Sequence, residues 1–182
     1  KEYCSYAIVD KGTVLINSVY HPKYSTGPAA GIYFEPANIK AIEEFVTVFC
    51  KKYQFSGQIA FDFIVKDGRA FALECNPRVT SGFHLISDQL NWSELLEGQV
   101  QNMSLSTEPY MLGFAMKLRG LGYFWKSPRK FVIDYNKAHD VLKNKAYPWL
   151  GFKSLMTITN IACRMIKQKK TFHQASTDDI EF

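Results

Sequence analysis

The amino-acid sequence predicts an α+β fold: antiparallel hairpins packed by a single helix, followed by a mixed, largely helical basic extension. Three observations carry that expectation. Stretches rich in β-branched and aromatic residues flank Asp10-Lys11-Gly12, and two more flank Lys66-Asp67-Gly68, both turn tripeptides of the hairpin kind. Between the hairpins, apolar residues recur at helical spacing. The charge is also divided. Residues 1–88 hold nine basic and nine acidic side chains, whereas residues 110–170 hold thirteen basic residues against only Asp134 and Asp140.

Each element follows in order. Residues 3–9 and 13–20 form the strands of the first hairpin, and residues 21–31, with two prolines and two glycines, read as a loop. From Asn38, the expected N-cap, Ile39, Ile42, Phe45, Val46 and Phe49 mark one helix face. Glu43 and Glu44 come early in that helix and Lys51 and Lys52 close it, the order its dipole favours. The second hairpin runs from Gln58 to Val65 and from Arg69 to Glu74. Ile59, Phe61, Phe63 and Val65 share one face, and Gln58, Ala60, Asp62 and Ile64 share the other. Beyond Gly82, residues 92–100 read as a short helix and 110–118 as either strand or helix. Residues 128–146 are ambiguous, 148–170 read as a helix, and 171–182 as a polar, acidic-ended tail.

Composition excludes several classes. A chain of 182 residues with 47% apolar and 21% charged residues is neither disordered, collagen-like nor a coiled coil. No uncharged stretch reaches the roughly 18 residues of a spanning helix. Cys4, Cys50, Cys75 and Cys163 are widely spaced without a CxxC pair. That argues against a zinc site or a disulfide framework and points to a reducing, cytoplasmic compartment. The opening Lys1-Glu2-Tyr3 runs directly into a strand, so the chain is expected to be cut from a larger one.

The chemistry concentrates in the second hairpin. If that hairpin is regular, its turn leaves Asp62 and Glu74 near one another across the ladder. Asn76 follows Glu74 at i+2, on the same face of an extended chain. Pro77 keeps Asn76 extended and stops the strand, and Arg78 comes next. Two carboxylates and an amide oxygen converging on one point are hard donors suited to magnesium, with places left for phosphate oxygens. The guanidinium beside them offers a planar donor fork for phosphate.

Gly57-Gln58-Ile59-Ala60-Phe61-Asp62-Phe63, the turn Lys66-Asp67-Gly68-Arg69, and Phe71-Ala72-Leu73-Glu74-Cys75-Asn76-Pro77-Arg78 resemble the closing hairpin of the ATP-grasp superfamily. The nearest likeness is to proteins similar to the large subunit of carbamoyl-phosphate synthase. The resemblance covers residues 1–88 and implies the C-terminal, antiparallel-sheet half of an ATP-grasp domain, with 89–182 as a basic family-specific extension. It implies that Asp62, Glu74 and Asn76 hold the magnesium ions (manganese in substitution) that bridge the phosphates of ATP. It implies that Arg78 is catalytic and faces the γ-phosphate or an acyl-phosphate, and that Glu2, in a Gly-x-Glu-Tyr-like start, lies near the nucleotide. The Gly31–Pro36 segment followed by the helix also fits the family's order.

The implied function is ATP-dependent ligation of a carboxylate to an amine or thiol through an acyl-phosphate, with small-molecule substrates. The family's first ATP-binding subdomain is absent from these residues, so it is the expected partner. No Walker-type phosphate loop replaces it. The reading from another class is a non-catalytic interaction module derived from the same fold.

The remaining candidates are weaker. His21, Lys23 and His84 read as surface residues without a role, and Cys75, pointing away from its neighbours by alternation, as a core thiol. Helix 148–170 carries Phe152, Leu155, Met156, Ile158, Ala162, Met165 and Ile166 along one side, and Lys153, Asn160, Arg164 and Lys167 mostly on the other. It suits packing against a core, a partner or a second copy in a homo-oligomer, or an anionic membrane surface. Lys126, Arg129 and Lys130 around Trp125 and Phe131 have the ingredients of nucleic-acid binding, but no recognised module accompanies them.

Overall fold

The computed structural model describes residues 1–25, 31–87, 90–99, 107–143 and 148–168. It divides into two compact units, Lys1–Val141 and Leu142–Phe182. The first unit is a seven-stranded, mostly antiparallel sheet in the order β5-β4-β1-β2-β3-β6-β7. Strands β1 (Glu2–Asp10) and β2 (Thr13–Ser25) form the first hairpin, β3 (Gly31–Pro36) pairs with β2, and helix α1 (Lys40–Tyr53) follows. Strands β4 (Gly57–Lys66) and β5 (Arg69–Asn76) form the second hairpin, and β4 docks antiparallel on β1. Both expected tight turns are present. Lys11 and Gly12, and likewise Asp67 and Gly68, have φ between 44° and 80°, the paired left-handed geometry that matches strand twist.

Helix α1 covers one face of the sheet. Its buried Ile42, Val46 and Cys50 pack on Ala7, Val9, Val19, Ile59, Phe61 and Phe63, with Phe45 and Phe49 edge-on to Phe61. The expected cap is corrected here. Ile39 rather than Asn38 occupies the N-cap, with no side-chain hydrogen bond; its apolar contact with the core anchors the helix start instead.

On the other face, the 3-10 turn Ser81–Leu85 lies over Tyr6, Ile16, Tyr20 and Phe34. Its approach is close: a Cβ on Gly82 would stand 2.5 Å from that of Tyr6, and the Ser18 hydroxyl donates to the Gly82 carbonyl at 3.0 Å.

The loop expected over residues 21–31 is corrected in part, because β2 continues to Ser25 and Gly31–Pro36 is a strand. Past Tyr20, β2 has left the register it shares with β1 and pairs only with β3, across an irregularity beside Pro22. Pro22 therefore removes no ladder bond toward β1.

The sheet runs on past residue 88. Helix α2 (Trp92–Leu96) is capped by the Asn91 side chain. Strand β6 (Tyr110–Met111) pairs with β3, and helices α3 (Gly113–Arg119), α4 (Leu121–Lys126) and α5 (Pro128–Lys137) precede β7 (His139–Asp140), which pairs with β6. So 110–118 is strand and then helix, and 128–137 is helix.

Asp134 ties α5 to the sheet. It accepts from Lys23 Nζ at 2.8 Å and from the Tyr24 hydroxyl at 2.6 Å, while Lys23 also donates to Glu35 at 3.1 Å. Lys23 is thus not the surface residue it reads as in the sequence, but a half-buried strut. His84 stacks on Phe34, and His21 Nδ1 donates to the Glu2 carbonyl at 2.9 Å.

The second unit is described by helix α6 (Leu150–Gln168), on which Phe152 and Met156 are exposed. The side chains of Leu155, Ile158, Ala162, Arg164 and Ile166, the residues Lys169 and Lys170, and the tail 171–182 lie outside the described set. No helix among the described residues is long and apolar enough to cross a membrane.

Candidate functional site

The sheet face opposite α1 is only partly covered by the 3-10 turn. The uncovered part is a cleft of about 530 Å³, whose lining includes Glu2, Asp62, Glu74, Asn76 and Arg78. These are the five residues singled out from the sequence, and the structure places all of them on one cavity.

How Glu74 reaches that face is a correction. The turn pair is Lys66 with Arg69, and a regular ladder counted from it would set Asp62 against Leu73 and turn Glu74 toward the α1 side. The observed register is Phe63 with Ala72 and then Asp62 with Glu74, so Leu73 is the extra residue of a β-bulge. The bulge brings Glu74 opposite Asp62, with Asn76 opposite Ala60 on the same face. β5 then ends. The Arg78 amide donates to the Asn76 carbonyl at 2.8 Å, a tight turn about Pro77 that carries Arg78 over the cleft rim.

Among the described residues, no lysine, arginine or histidine lies within 4.0 Å of the Asp62 or Glu74 carboxylate, and Arg78 makes no ion pair. No group of three or more His, Cys, Asp or Glu suited to a metal occurs among them either. The donors at hand are two carboxylates and one amide oxygen.

Sequence reasoning missed the floor of the cleft. Cys4 lies directly opposite Asp62 on one side and Tyr20 on the other, so Glu74, Asp62, Cys4 and Tyr20 form one row across β5, β4, β1 and β2. Burial first, then the neighbouring Asp62 carboxylate, push the Cys4 thiol far above its usual range. Burial first, then Cys4, do the same to the Tyr20 phenol. Both side chains are therefore neutral at physiological pH, and they add no negative charge beside the carboxylates. A signal for this row exists in the apolar run Val14-Leu15-Ile16, which breaks alternation. The register of the first hairpin slips by one there, pairing Cys4 with Tyr20 where a regular count gives Val19.

Cys75 does not fit the expected core thiol. It is exposed, because β5 is an edge strand with a neighbour on one side only. A labelling experiment follows from these placements. At pH 8, iodoacetamide should modify exposed Cys163 readily and exposed Cys75 more slowly, because partial burial of its sulfur raises that thiol. Cys4 and Cys50, the latter pushed up to about 11 by burial, should react only on unfolding. Peptide mapping that finds Cys4 modified in the folded protein would contradict its place on the half-buried cleft floor.

No protein-family model matches the chain, and no curated protein matches it. Solved structures do. The chain is similar to N5-carboxyaminoimidazole synthetase from Staphylococcus aureus, at 16% identity and a TM-score of 0.42 over 70% of this chain and 39% of that one. It is similar to L-amino acid ligase from Bacillus licheniformis, at 19% identity and 0.41 over 59% and 32%. A third is the phosphoribosylaminoimidazole carboxylase ATPase subunit from Aquifex aeolicus, at 20% identity and 0.44 over 69% and 42%. The chain thus spans between 32% and 42% of the length of these three proteins.

Proposed function

We propose that residues 1–88 supply the magnesium–ATP phosphate site of an ATP-grasp ligase that joins a carboxylate to an amine or thiol through an acyl-phosphate, with 89–182 as a basic extension. The observation that carries this reading is the convergence of Glu2, Asp62, Glu74, Asn76 and Arg78 on one cleft, through a bulge that aligns Glu74 with Asp62.

The donor set fits the metal. Asp62, Glu74 and Asn76 present hard oxygens, the two carboxylates have no cation paired with them, and magnesium at phosphate sites typically takes one or two carboxylates and keeps positions for substrate oxygens. When bound there, magnesium or manganese neutralises charge on the phosphoryl group.

The chain's own residues do the rest. Asp62 and Glu74, opposite each other on paired strands, would offer both carboxylates to one ion. Arg78, which lines the cleft, would offer its fork to phosphate oxygens and stabilise the charge that builds on them. Glu2, at the mouth of the same cleft, contacts the nucleotide. The neutral Cys4 and Tyr20 close the floor and exclude water beneath Asp62.

Exposed Phe71 and Leu73 on edge strand β5, with Ile64 opposite Phe71, leave apolar surface beside the cleft uncovered. A second ATP-grasp subdomain closing over the nucleotide would cover it. The test is ADP release from magnesium-ATP by the full-length protein, screened against amino acids and small carboxylates, together with calorimetric ATP binding. ATP binding with substrate-dependent ADP release supports the ligase. Absence of ATP binding by the full-length protein overturns it and leaves the interaction-module reading.

A further inference from the structure

We infer that helices α3–α5 present a preformed docking face for an anionic lipid surface.

The helices Gly113–Lys137 carry six cations (Lys117, Arg119, Lys126, Arg129, Lys130 and Lys137) and one carboxylate, Asp134. That carboxylate is turned inward: Asp134 is 7% exposed and bonded to Lys23 and Tyr24. The next acid, Asp140, accepts from the Gly113 amide at 3.1 Å. Among the described side chains of the three helices, the exposed charges are therefore those of Lys117, Lys126, Arg129, Lys130 and Lys137, all positive.

The orientation of α5 is locked. Phe131 is buried against Tyr24 and Phe124, and Asp134, on the same side, is held by the sheet. Helical spacing then places Arg129, Val132, Ile133 and Asn136 outward, with Lys130 and Lys137 beside them. These outward residues are exposed, Ile133 at 65%, and Trp125 on α4 is 81% exposed. Between the helices lies an apolar groove of about 400 Å³ walled by Phe124, Phe131, Val132 and Tyr135, with Lys117 at its edge.

Charge complementarity selects an anionic occupant. A second copy of this chain would bring like charge against like. Stacking on nucleic acid would use Trp125 but gives no purpose to exposed Leu118, Val132 and Ile133. Exposed aliphatic side chains and a tryptophan on the same three helices as the exposed cations match a bilayer interface, where apolar tips enter the acyl boundary and cations meet phosphate headgroups.

The full 182-residue chain is tested by flotation with vesicles of phosphatidylcholine alone, or with about 30% phosphatidylserine, at low and high salt. Binding to the anionic vesicles only, weakened by salt, is the expected result. The triple variant Lys126→Glu, Arg129→Glu, Lys130→Glu should lose about 100-fold in affinity, at roughly fivefold for each of three headgroup-facing cations. It should keep its melting temperature, since the three side chains are exposed. In a Trp92→Phe, Trp149→Phe background, Trp125 emission should shift to the blue with anionic vesicles. Three outcomes overturn the proposal: no binding to anionic vesicles, unchanged binding by the triple variant (which would place the contact on another basic segment), or capture by single-stranded RNA or an acidic peptide with none by vesicles.

Discussion

Glu74→Ala in the full-length protein should cut ADP formation from magnesium-ATP by about three orders of magnitude while leaving the fold intact. Glu74 lies exposed on an edge strand, so its removal should cost the fold no more than about 0.5 kcal/mol, the ordinary range for surface changes. Its chemical cost is far larger. On the proposed role, removing one of the two facing carboxylates would take away half of the negative charge offered to the divalent ion. Charge stabilisation by a bound metal is worth several kcal/mol, which corresponds to about three orders of magnitude in rate. Glu74→Gln, which keeps the shape and loses the charge, should behave nearly as badly, whereas Leu73→Ala should retain ADP formation. Manganese binding followed by electron paramagnetic resonance gives a readout apart from turnover: the wild type should bind the ion in the presence of ATP, and Glu74→Gln should bind it at least about tenfold more weakly. Normal turnover by Glu74→Ala would remove the metal–phosphate role from this hairpin.

The second large effect concerns stability. Asp134→Ala deletes both the Lys23 bridge and the Tyr24 hydrogen bond in a buried place, leaving Tyr24 without its acceptor and Lys23 with Glu35 alone. Breaking a buried pair from one side costs about 3–5 kcal/mol, because the orphaned group keeps its desolvation penalty. For a chain of this size that is a fall of roughly 10 °C in melting temperature. The double change Lys23→Met, Asp134→Leu, which removes both charges, should recover much of the loss. A single variant melting with the wild type would show that α5 is held by its aromatic contacts instead.

The bridge also carries a pH sign. Burial pulls the Lys23 ammonium down, but its bonds to Asp134 and Glu35 outweigh that and raise it above its usual 10.5. A raised folded value means that the contribution is complete below the unfolded value. It is lost as pH climbs through the folded one, so alkaline melting above about pH 10.5 should narrow the gap between wild type and Asp134→Ala.

Much of this was legible in the residues. Asp-Lys-Gly and Lys-Asp-Gly announce tight hairpin turns, because only left-handed backbone at both central positions matches strand twist. The apolar spacing from Ile39 to Phe49 announces α1. The run Glu74-Cys75-Asn76-Pro77-Arg78 announces the site, because its donors alternate onto one side and proline ends the strand. Less legible were features set by distant partners. Lys23 and Asp134 lie 111 positions apart, and nothing local to either one names the other. Cys75 alternates away from the site, as expected, yet is exposed, because the place of β5 at the sheet edge is a matter of strand order.

The sequence by itself determined the elements, the tight turns and which residues share a face within one strand, since side-chain alternation is a local property of extended backbone. It did not determine which faces of neighbouring strands coincide. One slip in each hairpin, at Leu73 and in the Val14-Leu15-Ile16 run, shifts the register by a residue. Without the first, Glu74 would turn from the cleft toward α1; without the second, Val19 would replace Tyr20 opposite Cys4. A one-residue slip exchanges every facing residue beyond it, and which faces end up inside is settled by packing against other elements, as Phe61 and Phe63 are buried beneath α1. The cleft's chemistry was written in the residues; that they meet was decided by packing.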